Sequence, residues 1–271
     1  MKPPKPNSKI VWLLVLIAGL LFTVGVIRSA GRKKYRLALD APTKSRLSTL
    51  PHVILWAWER PEKLDFIDPN HVGVAFLART LYLRGDSVVT RPRLQPLAVP
   101  QGMKLTAVIR IESNRSEPAS LSHDQMERAS REIAEVAQLS QVVAVQVDFD
   151  AKASERSFYT NLLDRVRRAL PPNTALSITA LASWCKGDPW LDNLPVDEAV
   201  PMLFRMGVDR SQIVSGLVAG EAFRSPLCGQ SSGVSTDETL PYSPTSERIY
   251  VFNPNPWLPG SVDKVLERYQ R

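Results

Sequence analysis

Residues 142–151 read VVAVQVDFDA, and apolar and polar side chains alternate along them. Every second residue is Val or Phe, whereas Gln146, Asp148 and Asp150 fall between them. A β-strand sends alternate side chains to opposite faces, so this pattern predicts a strand with one apolar face and one face that is acidic at its carboxyl end. A helical pattern and a second strand-like run, ALSITALASW at 175–184, follow at once and predict a β-α-β unit. Parallel α/β folds carry their chemistry at the carboxyl ends of strands, where both aspartates lie.

Strand-like runs alternate with helical patterns or loops through the rest of the chain. The eight strand candidates are 52–58, 72–78, 104–113, 142–150, 175–184, 197–204, 212–220 and 248–254. Residues 82–92 predict a small hairpin, and residues 224–246, which are rich in Ser, Thr, Pro and Gly, predict a loop. The fold class is therefore α/β, a (β/α)₈ TIM-barrel-like fold that is reduced or irregular, since only about 220 residues are available for it. The alternative is a doubly wound open sheet, but no G-x-G-x-x-G or Walker loop supports a nucleotide-binding version.

Three neighbouring strands predict a polar barrel interior. In a barrel the outward face of each strand meets the helices, so the more polar face points inward. The inward residues are Thr106, Val108, Arg110 and Glu112 on the third strand, Ala144, Gln146, Asp148 and Asp150 on the fourth, and Ser177, Thr179, Leu181 and Ser183 on the fifth. The interior is therefore expected to be charged near its carboxyl end.

The N-terminal residues predict a membrane attachment. Residues 1–9 are basic and Pro-rich and predict a disordered tail, and residues 10–27 hold no charge over a length that can cross a bilayer. This run exceeds the apolar core of a cleavable signal peptide and predicts a transmembrane signal anchor. Residues 28–50 are then a tether, and residues 51–271 the barrel domain. The lipid bilayer is the expected partner.

Charge and cysteine content narrow the classes of partner and cofactor that the protein is expected to bind. Residues 1–36 hold eight of the 34 Lys and Arg residues and no acidic residue, so 26 basic residues face 27 acidic ones elsewhere. Because residues 37–271 carry no excess of basic side chains, no nucleic-acid partner is expected. The histidines are scattered and the two cysteines, Cys185 and Cys228, lie in no metal-binding motif, so neither a metal nor a cofactor is expected. These cysteines fit either one disulfide or two buried thiols.

Two arguments about the side of the membrane on which the barrel lies lead to opposite predictions. Basic residues after the span favour a cytoplasmic barrel, whereas an N-terminal signal-like segment before one globular domain favours export. Export is the working prediction, which places the domain in the periplasm or another extracytoplasmic space.

The predicted site contains acids and aromatic side chains at strand ends. Cleavage of a glycosidic bond requires two carboxyl groups, one protonated and one ionised. The candidate catalytic residues are Asp148, Asp150 and Glu112, and the candidate substrate-binding residues are Arg110, Gln146, Trp58, Glu59 and Trp184. Trp58 and Trp184 are expected to stack on sugar rings or, alternatively, to pack in the core. Arg110 is expected to bind substrate or, alternatively, to pair with Asp148 or Glu112 inside the barrel.

Several phrases resemble a bacterial family known as domain of unknown function 3142. They are QVDFDA, LSITALASWC, DPWLDNLPVDEAVPMLFRMG and YVFNP, within residues 50–260. More distantly, the fourth strand is similar to that of chitinase-like glycoside hydrolases, which ends in D-x-x-D-x-D-x-E. Asp148 and Asp150 match two of these aspartates, but Val145 and Lys152 stand where the first aspartate and the catalytic glutamate would be.

Two functions therefore compete. The first is a membrane-anchored glycoside-hydrolase-like enzyme that binds a polysaccharide or glycoconjugate and hydrolyses it. The second is a non-catalytic membrane-tethered barrel that serves as a binding or scaffold module.

Overall fold

Eight parallel strands form a closed barrel in the computed structural model, which describes residues 46–270. Each strand pairs with the next one along the chain, and the last pairs with the first. The strands are β1 Val53–Ala57, β2 Val72–Arg84, β3 Leu105–Ser113, β4 Val142–Asp148, β5 Ala175–Leu181, β6 Glu198–Met202, β7 Ser231–Ser235 and β8 Arg248–Phe252. The closed barrel confirms the predicted TIM-barrel-like class and excludes the open sheet.

The barrel is reduced on its helical side. The described part of the chain has the helices α1 His123–Glu135, α2 Arg156–Ala169, α3 Ala182–Gly187, α4 Arg210–Val218 and α5 Pro259–Tyr269. The connections from β1 to β3 contain short strands instead. Residues Ser87–Pro92 fold back antiparallel onto the long β2, which confirms the predicted hairpin, and Glu62–Lys63 pairs with Leu97–Ala98.

Local sequence explains where the two longest helices begin and end. The Ser122 hydroxyl accepts a hydrogen bond from the Gln125 backbone N–H and caps α1. Helix α2 ends just before Pro171 and Pro172, which cannot continue a helix. Both helices bury one apolar face against the outside of the barrel, and this face includes Ile133 on α1 and Leu162 on α2.

The seventh strand differs from the prediction. Residues 212–220 were expected to form it, but 210–218 is helix α4, and the strand is Ser231–Ser235 inside the expected loop. Periodicity does not separate helix from strand in a short apolar run. Small residues are required in β7, since a Cβ atom on Gly233 would lie 3.0 Å from the Trp56 ring.

The barrel interior combines an apolar cluster with buried polar side chains such as Gln146 and Ser177. Val108 and Ala144 lie in the inner cluster with Trp56 and Tyr250, whereas Ile109 and Val147 lie in the outer core. The alternation of side chains along β3 and β4 therefore predicts correctly which of their residues face the barrel interior. Below the carboxyl end, Glu198 is fully buried and accepts hydrogen bonds from Ser231, Arg248 and Tyr250.

A short N-terminal segment closes the amino end of the barrel. Residues 46–50, here called the bottom segment and predicted to belong to the tether, place Leu47 and Leu50 in the inner cluster. Arg46 Nη2 lies 2.7 Å from Asp197 Oδ1, and both side chains are almost fully buried. The Leu176 N–H and Arg167 also bind Asp197, so the bottom segment is fixed to the starts of β5 and β6.

The two cysteines are joined. A disulfide links Cys185 in α3 to Cys228, just before β7. None of the helices within residues 46–270 is long and apolar enough to cross a membrane. The predicted tail and signal anchor, residues 1–27, lie outside the described residues.

Candidate functional site

A cleft of about 230 Å³ opens at the carboxyl end of the barrel. Because the strands are parallel, their last residues and the loops after them meet at this end. The residues that line this carboxyl-end cleft are Trp56, Trp58, Arg110, Asp148, Asp150, Thr179, Met202, Phe204, Arg205 and Phe252. Four of the predicted site residues, Trp58, Arg110, Asp148 and Asp150, therefore lie together.

Asp148 is the most enclosed acid of the cleft. Its side chain is 13% exposed, and Oδ1 accepts a hydrogen bond of 2.6 Å from the Thr179 hydroxyl. Burial raises the pKa of Asp148, the Thr179 bond opposes this rise, and the neighbouring charge of Asp150 adds to it. Asp148 is thus a carboxyl group whose protonated form is favoured by its surroundings.

Asp150 is the open partner of Asp148. The residue is exposed, and within residues 46–270 its carboxylate makes no hydrogen bond or ion pair. Partial desolvation raises the pKa of Asp150, and the positive charge of Arg110 lowers it. Asp150 also lines two further cavities beside the cleft. Its oxygens are accordingly available to a ligand from several directions.

Arg110 forms its ion pair at the rim. Nε donates to Glu112 Oε1 at 2.8 Å, and both side chains are 41% exposed. Nη1 lies 3.9 Å from Asp148 Oδ2, and the guanidinium carbon lies 5.9 Å from the centre of the Trp58 ring. The pairing that was predicted as the structural alternative therefore exists, and it leaves Glu112 partly exposed and Asp150 exposed while Asp148 stays largely enclosed.

Aromatic rings form the apolar wall of the cleft. Phe204 and Phe252 stack with ring centres 5.6 Å apart, and Trp56 lies 6.1 Å from Phe204. None of these three residues is among the site residues predicted from the sequence. The signal was present in the inward alternation of β6 and β8. Phe204 continues it two residues past the end of β6, and Phe252 is the last residue of β8.

Three predicted substrate-binding residues lie outside the cleft. Gln146 is fully buried beneath it, where it bonds the Trp56 indole and the Ser177 hydroxyl. Glu59 pairs with Arg91 at a separate cavity. Trp184 is buried against Trp190, because β5 ends at Leu181 and α3 turns this indole into the outer core.

Glu112 lies beside the cleft, in a polar cavity of about 290 Å³ that it shares with Arg110, Asp148, Asp150 and Lys152. Lys152 is half-exposed, and its ammonium lies 3.3 Å from Glu155 Oε1. Glu155 also accepts hydrogen bonds from the Ser113 hydroxyl and the Lys152 N–H. The residue at the position of the chitinase-like glutamate is therefore a cation held by an internal carboxylate.

Fold and site together define a TIM-barrel protein with an acidic, aromatic-walled cleft at the carboxyl ends of its strands. The model of the family described as Domain of unknown function (DUF3142) matches residues 101–202, which span β3 to the end of β6. This match confirms the resemblance found in the sequence. No curated protein matches the sequence.

Solved structures share the fold. A protein assigned as chitinase A from Streptomyces coelicolor superposes with a TM-score of 0.53 at 10% identity, over 81% of this chain and 97% of the other. The spore cortex-lytic enzyme SleL of Bacillus cereus gives a TM-score of 0.45 at 14% identity, over 82% of this chain and 59% of its own. At such identities, the first likeness shows a common barrel fold.

Proposed function

We propose that this protein is a membrane-anchored, extracytoplasmic glycoside-hydrolase-like enzyme that binds a polysaccharide or glycoconjugate in the carboxyl-end cleft and hydrolyses it. One observation carries the proposal: two acids with raised pKa, Asp148 and Asp150, stand in an open cleft beside an aromatic wall. Binding sites for small ligands are typically apolar with a few well-placed polar groups, and this cleft has that character.

The wall suits a sugar ring. Each face of a pyranose presents C–H groups that pack against an aromatic ring, and its hydroxyls seek hydrogen-bond partners at the edge. Phe204, Phe252 and Trp58 offer the rings, while Arg110 and Asp150 offer a donor and an acceptor at the rim. Arg110 Nη1 lies 3.9 Å from Asp148, whereas Nη2 donates no hydrogen bond within the described part of the chain, so Nη2 is available to a sugar oxygen.

The two aspartates divide the proton chemistry. Glycosidic cleavage uses one carboxyl group as an acid and another in its ionised form. Asp148 is the more buried and carries the proton in this proposal, whereas Asp150 is open and stabilises positive charge on the reacting sugar. Glu112, the third candidate catalytic residue from the sequence, is engaged by Arg110, and its role here is to hold that guanidinium beside Trp58.

A second function is favoured by Lys152. Chitinase-like chemistry requires an acid at this position, and its replacement by a cation bound to Glu155 supports a barrel that binds glycans without cleaving them. The cleft and its aromatic wall would then serve as a binding module.

Export is supported by the disulfide. A bridge between Cys185 and Cys228 is stable in an oxidising compartment and is rare in the cytoplasm. The uncharged run at 10–27 supplies the proposed anchor. The glycan class itself rests on analogy with the protein assigned as chitinase A, whose fold is shared.

To test the proposal, the full-length protein in detergent is incubated with a panel of polysaccharides and glycoconjugates. Binding and the release of reducing ends are measured for each glycan. Asp148→Asn should lower the hydrolysis rate by about 10²-fold or more, the usual contribution of a positioned acid. Trp58→Ala should weaken binding by about 2- to 10-fold. The matched controls are Asp263→Asn and Phe66→Ala, both at exposed residues outside the cleft.

The outcomes separate the two functions. Hydrolysis that is lost only in Asp148→Asn supports the enzyme. Binding without hydrolysis, weakened in Trp58→Ala but not in Phe66→Ala, supports the binding module. If no glycan on the panel binds or is cleaved, both functions are refuted.

A further inference from the structure

Within residues 46–270, the carboxyl group of Asp148 accepts a hydrogen bond from one side chain, that of Thr179. The Thr179 hydroxyl lies 2.6 Å from Asp148 Oδ1, and Thr179 is only 5% exposed. A hydrogen bond in such an enclosed place is electrostatically stronger than one in water, and solvent competes little with it. The bond is therefore a fixed part of the cleft.

The pairing of two strands places the hydroxyl beside the acid. β4 and β5 run parallel with Val147 opposite Ile178, so Asp148 and Thr179 are the next residues along the two strands. Both side chains line the carboxyl-end cleft. Because threonine is β-branched, its χ1 angle has few allowed values, and this restriction keeps the hydroxyl directed at Oδ1.

The two oxygens of Asp148 have different surroundings. Oδ1 receives the hydroxyl of Thr179, whereas Oδ2 accepts no hydrogen bond within the described part of the chain and lies 3.9 Å from Arg110 Nη1. If Oδ1 carried the acid proton and donated it to Thr179, the threonine hydrogen would have no acceptor among residues 46–270. Buried hydroxyl hydrogens seek an acceptor, so the arrangement with Thr179 as donor is favoured.

Other charged or titratable groups around Asp148 do not contact Oδ1. They are Arg110 and Glu112 on β3, Asp150 just after β4, Tyr159 on α2 and, across the cleft, Arg205. The buried Tyr159 hydroxyl donates to the Val147 carbonyl oxygen, and Arg205 pairs with Asp237 and Glu238. Control of Oδ1 therefore falls to Thr179.

We infer that Thr179 is the positioning residue of Asp148: its hydroxyl donates to Oδ1 and thereby holds the acid proton on Oδ2, on the side of Arg110. The catalytic consequence rests on the proposed function. In that reaction the proton passes from Oδ2 to the glycosidic oxygen, which takes the electron pair of the breaking C–O bond and leaves as a hydroxyl group. A water molecule then gives its hydroxyl to the sugar carbon and its proton to Asp148.

Infrared difference spectroscopy of the full-length protein in detergent tests the position of the proton. From each spectrum, the spectrum of the same protein carrying Asp148→Asn is subtracted, so the remaining carboxylic-acid band belongs to Asp148. A C=O group that loses a hydrogen-bond donor absorbs at higher frequency. Thr179→Val keeps the shape of the side chain and removes its hydroxyl, so it should raise the C=O frequency of protonated Asp148. It should also raise the pKa of Asp148 by about 1 unit, because the lost bond favoured the ionised form.

Two variants serve as controls. Thr179→Ser keeps the hydroxyl and should retain the wild-type frequency and titration midpoint. Thr106 is fully buried on β3 and its hydroxyl makes no hydrogen bond within residues 46–270, so Thr106→Val removes a matched hydroxyl and should leave both values unchanged. Thr179→Ala carries the same expectation as Thr179→Val and replaces it if that variant does not fold.

Catalysis gives a second measurement for any glycan of the panel that is cleaved. Thr179→Val should lower kcat by about 10-fold with KM nearly unchanged, because the acid is bound but no longer oriented. The basic limb of its pH–rate profile should move up by about 1 pH unit, with the pKa of Asp148. Thr179→Ser should restore both.

A higher frequency and a higher midpoint in Thr179→Val alone support the inference. Unchanged values in Thr179→Val overturn it, and so do equal changes in Thr179→Ser or Thr106→Val. Wild-type kcat in Thr179→Val on a cleaved glycan refutes the positioning role. The spectra need no glycan, so a panel on which nothing binds refutes the proposed function while the spectra still decide where the proton lies.

Discussion

The buried carboxylate of Glu198 gives the sharpest test of how the barrel interior is held together. Glu198 Oε2 lies 3.0 Å from Arg248 Nε, and Oε1 accepts a 2.7 Å hydrogen bond from the Tyr250 hydroxyl. The Ser231 hydroxyl donates to the same carboxylate. One carboxylate therefore connects β6, β7 and β8, with no contact to solvent.

Glu198→Gln keeps the shape of this side chain and removes its charge. Arg248 is 6% exposed at its side chain and would keep only a neutral amide in place of its buried anion. Breaking a buried ion pair from one side costs about 3–5 kcal/mol, and we expect about 3 because the amide oxygen still accepts one hydrogen bond. For a domain of this size, this corresponds to a fall in Tm of about 6–12 °C.

The chain supplies its own control, since Glu247 lies 3.8 Å from the same arginine but is 62% exposed. Glu247→Gln should change the free energy of unfolding by about 0.5 kcal/mol or less. Thermal unfolding followed by circular dichroism compares the two variants. Adding Arg248→Met to Glu198→Gln should recover part of the loss, because neither charge is then buried alone. Equal, small Tm shifts for Glu198→Gln and Glu247→Gln would refute this account of the interior.

Two further predictions concern the cleft and the disulfide. Because burial raises the pKa of Asp148, the folded state holds that proton more tightly than the unfolded chain, and stability falls as pH rises from about 4 toward the raised pKa. Asp148→Asn should therefore raise the Tm at neutral pH and leave it nearly unchanged at pH 4, and a lower Tm at neutral pH would instead indicate a structural role. Reduction of the Cys185–Cys228 bridge, which spans 43 residues, should cost about 4 kcal/mol by the loop-entropy model. This loss is measured as the Tm with and without reductant, with the double Cys→Ser variant insensitive to reductant, and an unchanged wild-type Tm would contradict it.

Sequence alternation predicted the barrel and the centre of its site. Asp148 and Asp150 could be located because β4 has a clean period of two and because a parallel strand places its last residues at the functional end. The same rule, applied to the end of β8 and to the residues just after β6, would also have found Phe252 and Phe204. The alternation does not show how far each residue lies from the carboxyl end of the barrel. Gln146, for example, shares the face of Asp148 but lies fully buried below the cleft.

Other features depend on partners that are distant in sequence. Ser231–Ser235 has little intrinsic strand propensity, and its residues fit distant partners: Gly233 lies against the Trp56 ring, and the Ser231 hydroxyl donates to Glu198. Trp184 follows a strand-like run in the sequence, but β5 ends at Leu181 and Trp184 lies in α3, where it packs against Trp190. In both cases the contacts made in the folded chain determine the surroundings of the residues, and the local sequence pattern does not predict those contacts.

The bottom segment determines where a minimal version of this domain can begin. A recombinant chain cut at residue 51, the boundary that the sequence predicts, would lack Arg46. Among the described residues, the buried Asp197 carboxylate would then pair with Arg167 alone. It would also remove Leu47 and Leu50 from beneath Ile54 and open the amino end of the barrel to water. Residues 46–50 are therefore part of the folding unit, and an expression boundary should fall before Arg46.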